Sequence, residues 1–493
     1  MPRILKIILI FVLCEAVALA YAQPREQTAA LALAINKQAS VQDAASLFEA
    51  GQKAHEAGKL EEAVRLYGEA IARDASLWQA EFQRGLAYLS LNRFQEARAS
   101  LTRVNEQLTQ FADSPQLRAI SVRVQIALGE IALAESKYAE AEKSFRRALE
   151  LNPQAGRAHA GLAEVFVESN KLNDAIAEAK AALAAGDDHA VTYSLLGEAL
   201  ALNRNYDEAM TSFNEALKRQ PRDARALRYR AEVFMARRDL PRAIADLQAA
   251  LAIEKTTSTM LRLAELQHQA KQDTEAANLY QQILVAEPAN NEAREGLAAV
   301  LIGSGKAAEA IAELETLIKA QPNQAALRAQ LAALYLLTQP EKALEQYVAA
   351  AKLEPSQVSH RIGAGAALVK LRHFQEAVGV LRQVLEQPPP DEQAYFAHTN
   401  LGTALFELQD YAGASREYLW ILNHQKDRKR TAVTLYFLGI CFDKLNDYEQ
   451  ALKAYEQFLE LAQADHQLEI DKVKLRLPSL KQQIKEGKSK RIK

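Results

Sequence analysis

Small and apolar residues recur along this chain at helical spacing. Ala209, Phe213, Ala216 and Leu217 stand at i, i+4, i+7 and i+8 with polar residues between them, which predicts a helix carrying one apolar stripe. The arrangement returns with its first small residue at Ala63, Ala97, Ala141, Ala175, Ala209 and Ala243, then at Ala276, Ala310, Ala343, Ala377, Ala414 and Ala451. Neighbouring copies are 33 or 34 residues apart, except for a step of 44 from Ala97 to Ala141 and steps of 37 at the last two. The long step reads as an insertion near Asn105 to Pro115, and the last two as lengthened turns between repeats.

A second small residue sits upstream of this stripe. Gly51, Gly85, Gly129, Gly197, Gly365, Gly402 and Gly439 each precede their Ala by twelve residues. Small residues on two facing helices let the backbones approach, where a bulky side chain would overpack the crossing. A short polar turn separates the two helices, as in residues 202–206, and Pro closes many periods, at Pro153, Pro221, Pro288, Pro322, Pro355 and Pro389. The pattern predicts an all-α chain of helix pairs in tandem. Composition agrees: across 493 residues there are only 19 Gly and 14 Pro, and helix formers dominate throughout. A chain this long exceeds what one compact core sustains, which an array resolves.

The Leu-Gly, Tyr, Ala, Phe or Tyr, Ala and Pro signature at this period resembles the tetratricopeptide repeat, over about residues 44 to 465 and twelve copies. The resemblance implies a right-handed α-α superhelix of antiparallel helix pairs, with a concave face lined by the first helix of each pair and stability carried by neighbour stacking. Two copies depart from it. Ala179 replaces an aromatic in the fourth, and Glu81 and Arg84 replace apolar residues in the second, so looser packing is expected there. Residues 23–43 are expected to form an N-terminal linker or cap, and 466–493 a capping helix with a basic tail. Leu468, Val473, Leu475, Leu477 and Leu480 would supply the cap's apolar positions, with Pro478 starting or kinking it.

In the family, positions 2, 5, 9 and 12 of the first helix form the concave face. Position 9 here reads Glu130, Glu164, Glu198, Glu232 and Glu265 in five consecutive repeats, then turns small or apolar. This predicts a ladder of carboxylates that would receive a basic segment of a partner. Arginines at position 2, among them Arg157 and Arg225, offer the alternative of internal neutralisation. Farther along, Phe396, Phe406 and Tyr436 mark an apolar stretch suited to a peptide or to packing between repeats.

Catalytic and metal patterns are absent from the sequence. There is no HExxH, CxxC or GxSxG, and the nine His share no metal-ligand spacing. Gly303-Ser-Gly-Lys306 lacks the spacing of a phosphate loop and falls at a turn between helices. The expectation is a protein that is not an enzyme and takes no cofactor and no metal. Sixty Lys and Arg against 62 Asp and Glu leave a net charge of −2, without the basic stripe of a nucleic-acid binder.

At the N-terminus, Arg3 and Lys6 precede an apolar run from Ile7 to Leu13, and Ala20-Tyr21-Ala22 offers a small-x-small cleavage site. Residues 1–22 therefore read as a cleaved signal peptide. Glu15 interrupts a run already far short of the ~20 residues that span a bilayer, so no stable membrane anchor is expected after cleavage. Leu13 stands where a lipoprotein signal has a small residue, which argues against lipidation of Cys14. With Cys14 removed, Cys441 has no disulfide partner within the chain. The sequence thus points to an exported, periplasmic or secreted bacterial scaffold that binds proteins or peptides. The alternative is an accessory of exopolysaccharide export or outer-membrane secretion, for which a polysaccharide would be the ligand.

Overall fold

The computed structural model describes residues 24–109, 114–387, 389–424 and 427–490, so the segment read as a signal peptide lies outside the described residues. Among these residues there are twenty-five α-helices, one short 3-10 turn and no strand. The chain divides into two compact units, one ending at Thr259 and one beginning at Met260. Each unit is an α-α solenoid, in which consecutive helices pack as antiparallel pairs across turns of a few residues. In the first unit the leading helices of successive pairs also touch. Pro115–Ala134, Gly156–Glu168, Ala190–Leu202 and Ala224–Ala236 form one continuous inner row.

The key Ala of each second helix is fully buried, as at Ala141, Ala209, Ala310 and Ala377. In the repeats whose first helix carries Gly at the crossing, a large side chain four residues on points into the facing helix there. A Cβ on Gly129 would lie 2.6 Å from the Phe145 ring, and one on Gly197 would lie 2.6 Å from the Phe213 ring. Gly161, on the first helix of the next repeat, closes on Phe145 from the other side. Leu101 on Gly85, Leu381 on Gly365, Tyr418 on Gly402 and Tyr455 on Gly439 repeat the arrangement. Phe145 and Phe213 are completely buried as a result.

The turn inside each pair is also periodic. Five residues before the key Ala the backbone takes a left-handed conformation, at Asn92, Ser136, Asn170, Arg204, Arg238, Lys271, Arg372, Gln409 and Asn446, and at Gly58 and Gly305. This lets the amide after it reach back to the helix, as Asn205 N donates to Leu200 O at 2.8 Å, closing the free carbonyls of the helix end. The turn before Ala343 lacks such a residue, and the first helix there, Ala325–Tyr335, is the short one of eleven residues.

Several expectations are corrected. The extra residues of the last two periods go chiefly into the first helices, Asp391–Glu407 and Arg428–Lys444, which reach 17 residues against the usual 13. The residues inserted after Ala97 likewise lengthen helices on both sides, Phe94–Thr109 and Pro115–Ala134. The opening helix runs unbroken from Pro24 to Glu56, through the boundary read at residue 44. Neither atypical repeat is loose at the named residues. Ala179 is fully buried, and Glu81 is buried in an ion pair with Arg84 (2.7 and 2.9 Å), which Arg103 joins at 3.3 Å. In the last helix, Gln467–Lys485, Pro478 sits inside without ending it. Val473 and Leu480 are buried there and Ile470, Leu477 and Ile484 pack beside them, whereas Leu468 and Leu475 lie on the exposed face at 63% and 82%. The tail is tied down in part: Lys490 N donates to Asn446 O (2.8 Å) and Lys481 pairs with Glu456 (3.1 Å).

Phe145 is held between glycines on two helices, so Gly161→Ala should destabilise the first unit by about 1–3 kcal/mol through overpacking, despite the gain in helix propensity. Adding Phe145→Leu should make the same Ala substitution much less costly. Thermal melts of the four members of this cycle measure the coupling, and strictly additive effects would contradict the packing.

Burial also sets the alkaline limit. It pushes the phenols of Tyr67, Tyr280 and Tyr335 up to about 12, with neighbouring carboxylates adding to the shift, and the Cys441 thiol up to about 12. These groups ionise more readily in the unfolded chain, where Tyr titrates near 10 and Cys near 8.5. Their contribution is full below the unfolded values and is lost as pH rises towards the folded ones. Melting temperature should therefore hold from about pH 7 to 8.5 and fall steadily above about pH 9. A melting temperature unchanged at about pH 10.5 would contradict it.

Candidate functional site

The first unit carries four of the five position-9 glutamates, and arginines from following repeats hold most of them. Glu130, near the end of Pro115–Ala134, accepts from Arg157 Nε at 2.8 Å. Arg225 opens the helix Ala224–Ala236 and reaches back across two repeats. Its Nη1 donates to Glu164 at 2.9 Å, and its Nε donates to Glu198. Glu198 is 2% exposed, and its carboxylate also receives the Tyr229 hydroxyl. Burial alone would depress the pKa of the Arg225 guanidinium, but Glu198 and then Glu164 outweigh it and hold it above the ordinary arginine value. Burial and Glu198 raise Tyr229 in turn. Glu232 is likewise engaged and not free. Glu265, in the second unit, accepts from Arg262 on the preceding turn of its own helix and from Gln269 at 3.3 Å.

The ladder is thus partly neutralised from within, and its open portion is narrower than the five-residue run. A cleft of about 480 Å³ lies at Glu130 and Glu164, lined also by Glu168, Arg157, Tyr138 and Leu133. Glu168 has only a long contact to the Tyr138 hydroxyl, at 3.4 Å. Three carboxylates therefore face one space with one arginine lining it. Position-9 reading passes over Glu168, although its spacing of four from Glu164 places it on the same helical face.

In the second unit the three aromatic candidates separate. Phe406 packs edge-on against Tyr411 (5.6 Å) and Phe437 (5.3 Å), and Tyr436 lies against Phe437 (5.5 Å) and Phe458 (5.4 Å). Both rings thus take part in packing and stay half-buried. Phe396 is 47% exposed and sits edge-on to Tyr395 (5.6 Å), whose ring also carries the Arg430 guanidinium at 5.5 Å. Nearby, the Trp420 indole is stacked between His398 (3.8 Å) and His424 (3.9 Å). Among the described residues no three His, Cys, Asp or Glu side chains are grouped to hold a metal ion, and no helix is long and apolar enough to cross a membrane.

Helix pairs in series, knob-and-glycine crossings and this period place the chain in a known family. Tetratricopeptide repeat profiles match residues 48–108, 132–199, 194–256, 268–334, 362–419 and 434–469, well over half of the sequence, and the chain belongs to the tetratricopeptide repeat family. It is similar to DnaJ homolog subfamily C member 3 of Rattus norvegicus, 22% identical over 441 residues that cover 85% of this chain and 80% of that one. It is also similar to the Hsp70-Hsp90 organizing protein of Triticum aestivum, 24% identical over 260 residues, covering 50% of this chain and 42% of the relative. The solved structure of Pseudomonas aeruginosa pilF aligns over 42% of this chain and 95% of its own with a TM-score of 0.38 and 22% identity. Tetratricopeptide repeat proteins bind other proteins, and the architecture here is that of such an interaction scaffold.

Arg225 is the residue on which the buried Glu198 carboxylate depends. Arg225→Ala should cost about 3 kcal/mol, because it leaves Glu198 buried beside no cation. Adding Glu198→Gln should recover a large part of that loss. Denaturant titrations of both variants test this, and an Arg225→Ala midpoint equal to the parent's would refute the clamp.

Proposed function

We propose that the chain is a non-catalytic interaction scaffold of the bacterial cell envelope that receives a basic segment of a partner protein on the inner row of its first unit. The observation that carries this reading is the cleft where Glu130, Glu164 and Glu168 share one space. Carboxylates close together in a partly enclosed groove favour a Lys- or Arg-bearing segment, and such attraction raises the association rate and weakens with salt. Leu133 and the Tyr138 ring add apolar surface for the stem of a long cationic side chain. The relatives' names, a DnaJ homologue and an organizing protein, fit a role in bringing proteins together. Export rests on the N-terminal pattern of basic, apolar and small residues.

The test is fluorescence anisotropy with a labelled peptide of Lys and Leu residues against the full chain. Glu168→Lys combined with Glu130→Gln should weaken binding about tenfold or more, and the parent affinity should fall as salt screens the contact. Equal binding by the variant would remove the acidic cleft from consideration. Binding of a polysaccharide with no peptide affinity would favour the export-accessory reading. Fractionation of the same expressing cells reports location: a chain starting at Gln23 in the periplasmic fraction is expected, and retention in the cytoplasm overturns the export step.

A further inference from the structure

A cleft of about 810 Å³ in the first unit lies away from the acidic surface, beside the inserted residues. Three helices wall it: Phe94–Thr109, Pro115–Ala134 and Tyr138–Leu151. In a regular pair the first helix begins nineteen residues before the key Ala, as Ala190 does before Ala209. Pro115–Ala134 begins seven residues earlier than that register, relative to Ala141. At 1.5 Å per residue its first two turns project about 10 Å past the end of its partner helix. Leu117, Arg118 and Ser121 lie on this overhang, and Leu151 ends the partner helix below it.

The lining combines four cations, two carboxylates (Glu140 and Glu150) and apolar surface. Arg98 is held by Glu135 and by Glu140 (3.0 Å), and Arg147 by Glu150 (2.6 Å). Arg118 and Lys143 are exposed and have no carboxylate partner among the described residues. Leu108, Leu117, Leu128 and Leu151 line the cleft between these charges, and Gln125 Nε2 bonds across to Asn105 Oδ1 at 2.8 Å. Ser121 and Glu130 are nine residues apart on one helix, two and a half turns, so the cationic cleft and the acidic surface occupy opposite faces of the same helix.

We propose that this cleft is a second docking site, and that its occupant is an acidic, leucine-bearing segment of a partner protein. Two exposed cations without a carboxylate partner among the described residues, set around leucines, are complementary to carboxylates flanking an apolar residue, and the volume suits a few side chains of a short segment. The mixed lining favours such a segment over a polyphosphate backbone, which would leave the leucines uncovered. The protein then offers opposite charges on two faces of one helix and holds two dissimilar partners at once. The inference stands on the insertion and does not depend on what the acidic face binds.

The probe is a short fluorescein-labelled helical peptide of Glu and Leu, with a twin carrying Lys for Glu, titrated into the full chain. The acidic peptide should bind and R118E/K143E should weaken it by about tenfold or more, while E168K on the opposite face leaves it unchanged. Both substituted side chains are exposed, so circular dichroism melts of R118E/K143E should match the parent; if they do not, the neutral pair R118Q/K143Q carries the test, with a smaller loss of the same sign. Equal affinity of the acidic peptide for the folded variant and the parent would overturn the proposal. So would failure of the parent to prefer the acidic peptide over its twin, or a loss of binding in E168K as large as in R118E/K143E.

Discussion

Most second helices of this array must seat a large side chain where the facing helix has almost no side chain at all. Phe145, Phe213, Tyr418 and Tyr455 meet Gly129, Gly197, Gly402 and Gly439 so closely that no Cβ fits beneath the ring. Dense packing of this kind leaves few soft adjustments, because a ring held from two sides cannot retreat. It fixes the distance between paired helices, and where Gly161 joins in, the distance to the next pair as well. The fully buried alanines of the second helices do the same work with less volume. Stability in each unit is therefore assembled from crossings between neighbours, as in other repeat arrays.

This constraint determines which residues are left for binding. The face of a first helix that meets its own second helix is committed to the glycine crossing and has no room for chemistry. The remaining faces carry the charge, and the structure uses them unevenly. Arg225 spans two repeats to reach Glu164 and Glu198, so part of the acidic row acts as a staple of the inner layer. Near Glu130 and Glu164, each held by an arginine, a cleft remains that Glu168 also lines, and Glu168 has no arginine partner among the described residues. A charge row is then partly internal cohesion and partly binding surface, and geometry alone separates the two.

Fold and period were legible in the sequence because the crossing imposes a strict residue requirement at a fixed interval. Ala209 and Gly197 announce themselves by size, and the same interval returns in repeat after repeat. The binding surfaces were harder to read, since pairing across repeats depends on side-chain reach that spacing within one helix does not report. Arg225 was named from its position, but its double engagement with Glu164 and Glu198 spans 61 residues of sequence at its longer arm. Phe396 and Phe406 look alike in the pattern. One is left on the surface and the other is half-buried against Phe437 and Tyr411, residues of different helices. In the last helix the apolar face is displaced, with Ile470 and Ile484 packing where Leu468 and Leu475 were expected.

The insertion after Ala97 shows why an array of this kind gains surfaces easily. In a single compact core, added residues would have to be accommodated by the whole packing, and most would cost stability. In a solenoid each repeat answers only to its neighbours, so lengthening two helices at one joint disturbs one joint. The glycine crossings on either side, Gly85 with Leu101 and Gly129 with Phe145, keep their geometry, and the added turns project beyond them. On the projecting turns Leu117 and Ile120 pack back against the neighbouring core, while Arg118 is left exposed. The same rule that makes the repeats uniform therefore lets individuality collect where the period is broken, most of all at the 44-residue step between Ala97 and Ala141.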